Sequence, residues 1–239
     1  MHIAIVCYPT HGGSGVVASE LALGLAKRGH KIHIVSYATP FRLRDFSPNV
    51  RIHEIEMATY PLFKYPPYTL GIATKIAEVA SEQPLDIIHA HYAVPHAVSA
   101  FLAREVIGKN APKIVTTLHG TDITLVGADE SFHRVIRFAI EVSDAVTAVS
   151  QYLRQRTIDE FSLTRQIEVI ENFVDTKRAV RAGDCTRSHW APNGEKVLMH
   201  ASNFRPVKRV SDVVRIFEKV RQALPAKLLL VGAGPERLF

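Results

Sequence analysis

Apolar residues in this chain fall into short runs separated by longer segments where they recur every three or four positions. The first run, 1–7, includes Ile3, Ile5 and Val6 and stops at Pro9, so it predicts a strand. Residues 11–15 then read His-Gly-Gly-Ser-Gly, and Val16, Val17, Leu21, Leu23 and Leu25 follow at helical spacing until Gly29-His30 signals a stop. The same grammar repeats downstream. Strands are predicted at 31–37, 50–55, 84–89, 113–118, 145–149 and 167–170, and helices at 70–80, 97–107, 132–142 and 151–161. Residues 60–68 (YPLFKYPPY) are aromatic and proline-rich and predict an ordered loop.

Strands alternating with helices imply a parallel sheet with right-handed crossovers and helices on both faces. From 174 to 195 the pattern lapses into polar residues with Gly183, Pro192 and Gly194, which predicts a connection between domains. A second series then begins: strand 196–201, helix 210–223, strand 227–231, and Gly-Ala-Gly-Pro at 232–235. The expected organisation is an α/β chain with a Rossmann-like domain over 1–173, a connection over 174–195, and the start of a second Rossmann-like domain over 196–239. Two strands and one helix cannot cover both faces of a sheet, so the sequence reads as cut short inside that second domain.

Composition narrows the function without choosing it. The chain has 239 residues, 47% hydrophobic and 22% charged, with 29 Lys+Arg against 23 Asp+Glu. The basic residues are scattered rather than interleaved with aromatics, which favours small anionic substrates over nucleic acid. Cys7 and Cys185 are far apart with no metal-ligand spacing, so a reducing compartment is expected. The N-terminus shows neither a targeting signal nor a long apolar span, which predicts a cytoplasmic protein without a stable membrane anchor.

Ligands of parallel α/β sheets bind at the carboxyl ends of the strands, and the unusual polar motifs all fall there. Strand, glycine turn and helix at 1–25 point backbone N–H groups and a helix N-terminus at an anion. The spacing is G-G-x-G and the second strand has no acidic residue at its end, which argues against a dinucleotide; Gly15 is followed by Val16, which excludes a P-loop. A plain tight turn also accounts for the glycines. After strand 113–118 come His119, Gly120, Thr121 and Asp122. Here His119 is a polar-site element, and Asp122 could cap the next segment or orient the imidazole; an Asx-type turn is the plainer alternative. His89, His91 and His96 suggest a metal only weakly, since no carboxylate or cysteine accompanies them; Tyr92 is the better candidate for reaching a ligand. Beyond strand 196–201, Asn203, Arg205, Lys208 and Arg209 precede a helix, where cations and the helix end suit a diphosphate. Gly232 and Gly234 allow a ring or ribose close to the backbone.

HGGSG, HGTD, IENFVD, SNFR-x-VKR and LLVG-x-GPE, in this order, resemble the retaining family 4 glycosyltransferases of the GT-B fold. TPFRLRDFSPNV, FKYPPY, DIIHAHYAVPHAVSAFLA and RFAIEVSDAVTAVS are most similar to the branch that transfers GlcNAc from UDP-GlcNAc to L-malate, the first step of bacillithiol synthesis. The resemblance spans essentially the whole chain. It implies two Rossmann-like domains around a cleft, UDP-GlcNAc as co-substrate, no cofactor and no metal, and it is compatible with a homo-oligomer. It implies that His119 and Asp122 serve catalysis and that Gly13, Ser14, Gly15, Asn203, Arg205, Lys208 and Gly232 meet the donor. Malate, with two carboxylates, is expected to meet Ser14, Tyr92, Thr117 and an arginine from among Arg42, Arg44 and Arg154, with Arg44 and Arg154 preferred. Many members carry an arginine five residues before the phosphate-binding lysine, where this chain has Asn203. The family's E-x7-E glutamates do not occur in the sequence, so little or no transferase activity is expected of these 239 residues alone. Another acceptor, such as a lipid-linked sugar or an inositol phosphate, and a non-catalytic binding module are the alternatives.

Overall fold

The computed structural model describes residues 1–10, 12–43, 47–57, 61–62, 64–124, 126–127, 129–176 and 187–237. Contacts divide the chain into two units, Met1–Phe173 and Val174–Phe239.

The first unit is built on a seven-stranded sheet in the order β3-β2-β1-β4-β5-β6-β7. Its strands are β1 (His2–Val6), β2 (Lys31–Ser36), β3 (Val50–Glu54), β4 (Ile87–His91), β5 (Lys113–Leu118), β6 (Ala145–Ala148) and β7 (Glu168–Val169). Every pairing is parallel. The connections carry α1 (Gly13–Lys27), α2 (Tyr68–Glu82), α3 (Val98–Ile107), α4 (Thr121–Thr124), α5 (Glu130–Val142) and α6 (Gln151–Phe161).

The two-residue period of β1 divides its side chains between two cores. Ala4 and Val6 join Val35, Ile88 and Ile114 beneath Ile72, Ile76 and Val79 of α2, Ala100 and Ala103 of α3, and Ile136 and Ile140 of α5. Ile3, Ile5 and Cys7 face the other way with Ile32 and Ile34, covered by Ala18, Ala22 and Ala26 of α1. Small residues at helical spacing let α1 lie close to the sheet. Each fully buried isoleucine contributes roughly 1.5–3 kcal/mol of transfer free energy. Strand order reverses between β1 and β4, which opens a crevice at their carboxyl ends.

The second unit pairs β8 (Lys196–Ala201) and β9 (Ala226–Val231) in parallel, with α8 (Val210–Ala223) between them in sequence and a short α7 (Arg187–Trp190) before them. Phe204 and Val210 are its most buried large side chains. Gly232 and Gly234 have φ of +142° and +158°. A Cβ at Gly232 would lie 1.9 Å from the Ser202 carbonyl oxygen, and one at Gly234 2.5 Å from that of Phe204, so only glycine lets the two strand ends close together.

β5, α6, β8 and α8 match the predicted bounds, and most other elements differ by a residue or two. The fourth strand differs more: 84–89 was expected and Ile87–His91 forms. Pairing explains the shift, because Ile3 to Val6 of β1 align with Ile87 to Ala90. His89 therefore lies inside the strand and His91 closes it, so neither falls in the loop beyond. The loop predicted at 60–68 ends earlier, since Tyr68 already opens α2; its Tyr60 and Phe63 lie outside the described residues. Among the described residues, no helix is long and apolar enough to cross a membrane.

Candidate active site

The first wall of the site forms where β1 runs into α1. Gly12 takes the N-cap position without a side-chain bond, and the first turn carries no acidic residue. The first N–H groups of a helix have no intrahelical partner, so those of α1 are left for an anion. Gly13 adopts φ +50°, and a Cβ on Gly15 would meet the Tyr8 and Thr10 carbonyl oxygens at 2.6 and 2.8 Å. Thus Gly13 and Gly15 belong to the helix's first turn, and Gly15 permits close passage of the chain leaving β1. Ser14 is buried beside them; His11 lies outside the described residues.

The second wall comes from the ends of β4 and β5. Tyr92 follows β4 with φ +97°, a conformation rarely adopted outside glycine. Its N–H donates to the Thr117 carbonyl at 2.9 Å, and its own carbonyl accepts from Ala97. Residues 93–97 form an irregular turn, with Val94 extended and a cis Val94–Pro95 peptide. The Tyr92 ring sits 5.2 Å from that of His119 and 5.8 Å from that of Tyr8. Tyr8 also stacks on Tyr68 at 5.9 Å and lies 4.5 Å from His96. This aromatic group ties the glycine turn to the strand ends at the point where the strand order reverses.

Asp122 holds the second wall in place. It is 1% exposed. One oxygen accepts from the backbone N–H groups of His119 and Gly120, and the other from that of Ala93. Burial raises its pKa to about 6 even though these bonds oppose the rise. Asp122 therefore holds backbone N–H groups, and its carboxylate bonds these and not the His119 imidazole, in place of the expected orientation of the ring.

Behind the wall lies a stack of imidazoles. His89 and His91 share one face of β4, with ring centroids 4.6 Å apart, and His91 lies 5.1 Å from His119. His91 Nδ1 and His119 Nε2 are 2.8 Å apart. His89 Nε2 is 2.7 Å from the Thr117 hydroxyl, which is 2.7 Å from that of Thr147. The Thr117 hydroxyl thus joins His89 to Thr147 inside the network. His96 donates from Nδ1 to the His91 carbonyl at 2.5 Å, so its Nε2 accepts from the Tyr68 hydroxyl at 3.2 Å. Burial lowers the pKa of His89, His96 and His119 to about 4 and holds that of His91 well below its ordinary value, which keeps all four rings neutral. Among the described residues, no three His, Cys, Asp or Glu side chains are grouped to hold a metal ion.

Of the candidate acceptor arginines, Arg154 is half-buried in the first turn of α6 with Nε unpartnered. Arg42 is exposed, 3.8 Å from Glu20 and stacked over Phe41. Arg44 lies outside the described residues. In the second unit, Asn203, Arg205, Lys208 and Gly232 are exposed around the ends of β8 and β9. Arg209 is paired with Asp212 at 2.6 Å, whereas among the described residues Arg205 and Lys208 make no side-chain bond.

The family model described as Glycosyltransferase Family 4 matches residues 11–178, well over half of the sequence. The chain belongs to glycosyltransferase family 4. A Bacillus anthracis protein named N-acetyl-alpha-D-glucosaminyl L-malate synthase is 50% identical over 99% of this chain, which spans 62% of that relative's length. Anabaena Alr3699/HepE in complex with UDP and glucose superposes with a TM-score of 0.73 at 16% identity, covering 98% of this chain and 61% of that one. Sucrose-phosphate synthase from Thermosynechococcus elongatus gives 0.72 at 18%, covering 100% and 64%. These likenesses establish the α/β, GT-B-like fold of the family 4 chain.

At these strand ends, the structure gathers the predicted Ser14, Tyr92 and His119 together with Tyr8, Tyr68 and Thr147, which the sequence reading had not named. Those three supply support rather than motif residues. The one signal available was the two-residue period of β4, which sets His89 and His91 on one face.

Proposed function

We propose that this chain belongs to a retaining transferase that moves GlcNAc from UDP-GlcNAc to the hydroxyl of L-malate. The carrying observation is the 50% identity, across 99% of the chain, to a protein named N-acetyl-alpha-D-glucosaminyl L-malate synthase. The site chemistry supports it. The uncapped N-terminus of α1 and the Tyr92 hydroxyl suit a small dicarboxylate, and the His119 ring suits a sugar hydroxyl. In the second unit, Arg205 and Lys208 oppose the negative charge that grows on the departing diphosphate. The reading calls for no cofactor and no metal. It uses front-face displacement, in which the leaving phosphate helps take the acceptor proton.

Titrating the 239-residue chain with L-malate and with succinate tests the acceptor side. Malate should bind more tightly, because succinate lacks the hydroxyl. UDP release from UDP-GlcNAc by a chain of the relative's length should require malate; equal use of unrelated alcohols overturns the assignment. A lipid-borne acceptor is a second reading, favoured by the exposure of Leu62 (81%) and Tyr65 (74%) beside Lys64. Co-sedimentation with anionic vesicles would support it.

A further inference from the structure

His91 has no assigned role, yet it is fully enclosed between two other imidazoles. Its Nδ1 faces His119 Nε2 at 2.8 Å, and its Nε2 is buried without any partner. Two neutral imidazoles at this distance share one proton between the facing nitrogens. If that proton belongs to His119, the His91 proton must sit on Nε2, a buried N–H with nothing to receive it. If it belongs to His91, Nε2 carries only a lone pair. Orphaned buried N–H groups are the rarer and costlier of the two. The second arrangement leaves His119 Nε2 as acceptor and puts the His119 proton on Nδ1, the nitrogen that His91 does not occupy.

We propose that His91 is a positioning residue that holds His119 in the Nδ1–H form, so that the ring offers its ligand a hydrogen-bond donor. The frame around it suits that task. Asp122 fixes the His119 backbone N–H, Tyr92 lies against the His119 ring, and the His91 carbonyl is held by His96. Burial keeps both rings neutral, which preserves a single defined tautomer instead of an imidazolium. The ligand is an oxygen that accepts: a sugar hydroxyl, on the function proposed above. The tautomer itself does not depend on that reading.

Nitrogen-15 labelling of histidine in the 239-residue chain reads the tautomer directly through long-range 15N–1H correlations. His119 signals are assigned by their loss in H119N. The expected spectrum has His119 protonated at Nδ1 and bare at Nε2; a proton on Nε2 overturns the proposal. H91F should release His119 into a mixture of tautomers, whereas H91N, whose amide nitrogen falls near the position of Nδ1, should restore the single form. H91Q, which reaches toward the Nε2 position instead, should not. If H91F folds but His119 keeps one tautomer, the lock is disproved. If H91F does not fold, H91N against H91Q still decides. In a chain of the relative's length, H91F and H91Q should lower kcat/KM with UDP-GlcNAc about ten-fold, with H91N near the native value. Equal losses in all three at unchanged thermal stability refute the donor role. Absence of malate-dependent turnover in the unsubstituted enzyme refutes the proposed function and leaves the tautomer result standing.

Discussion

Each unit carries a glycine-rich strand end suited to an anion, and the two are built by opposite means. After β1 the donors are backbone N–H groups of an uncapped helix, and the adjoining Ser14 is 5% exposed. Around β8 they are the long exposed side chains of Arg205 and Lys208. Supporting layers differ in the same direction: four of five β1 residues are buried, and none of the six in β8. The first strand end holds its N–H groups in place against a core; the second presents its charge on exposed side chains. A fixed site is costly to disturb and little affected by salt, whereas exposed charge is cheap to remove and screened within about 10 Å at 0.1 M salt.

The largest effect should come from closing the space that glycine leaves. G232A would set a Cβ 1.9 Å from the Ser202 oxygen at φ +142°. We expect a loss of about 3 kcal/mol or more, enough to unfold a unit with so few buried residues. Limited proteolysis should then cut within 196–237 and leave a resistant fragment over 1–173. Simultaneous digestion of both would break the contrast between a well-cored and a thinly cored unit. G15A, with contacts at 2.6 and 2.8 Å, should cost about 2 kcal/mol yet leave the first unit folded, with malate binding lost in calorimetry.

D122A should fall between G232A and G15A. It strands three backbone N–H groups in the interior, at roughly 3 kcal/mol in all. D122N should fall between, because one amide oxygen can still serve His119 and Gly120 while the amide nitrogen opposes the Ala93 N–H. Urea midpoints of the three proteins order the effect; a midpoint for D122A equal to the native one would show that the backbone frame stands without the carboxylate.

Acid tests the neutral stack. His33, His89, His96 and His119 have folded pKa values of about 4, all lowered chiefly by burial. Each contributes stability that is complete above the unfolded value near 6.5 and lost as pH falls through 4. Asp122, raised to about 6 by burial, acts in the opposite sense: its cost appears as pH rises from about 4 to 6. Four imidazoles outweigh one carboxyl. Tm of the first unit should therefore fall by about 10 °C between pH 7 and 4.5. A flat or rising profile would mean that the stack is solvated.

The same contrast explains what could be read in advance. Strands were legible because short apolar runs such as Ile3, Ile5 and Val6 stop at punctuating residues such as Pro9. The strand-end motifs were legible because glycines, His119 and Tyr92 interrupt apolar runs. The role of Asp122 was not, since its partners include Ala93, twenty-nine positions away and reached only through the β4–β5 pairing. The depth of His91 was hidden for the same reason: a two-residue period says which face a side chain takes, whereas the pairing with Thr117 of β5 decides how deep it lies.

The smallest structural effect, and the sharpest functional one for the second site, is expected from R205A and K208A. Both side chains are exposed and bond none of the described residues, so each substitution should change stability by no more than about 0.5 kcal/mol. Each should nonetheless weaken UDP binding about ten-fold at low salt, because a charge-assisted contact to phosphate is lost. Raising the salt should shrink that difference, as screening already does part of what the substitution does. Malate binding at the α1 end should respond to neither substitution and only weakly to salt. If malate affinity falls as steeply with salt as UDP affinity does, the first site depends on exposed charge after all, and its recognition must then come from an arginine such as Arg154 more than from the helix end.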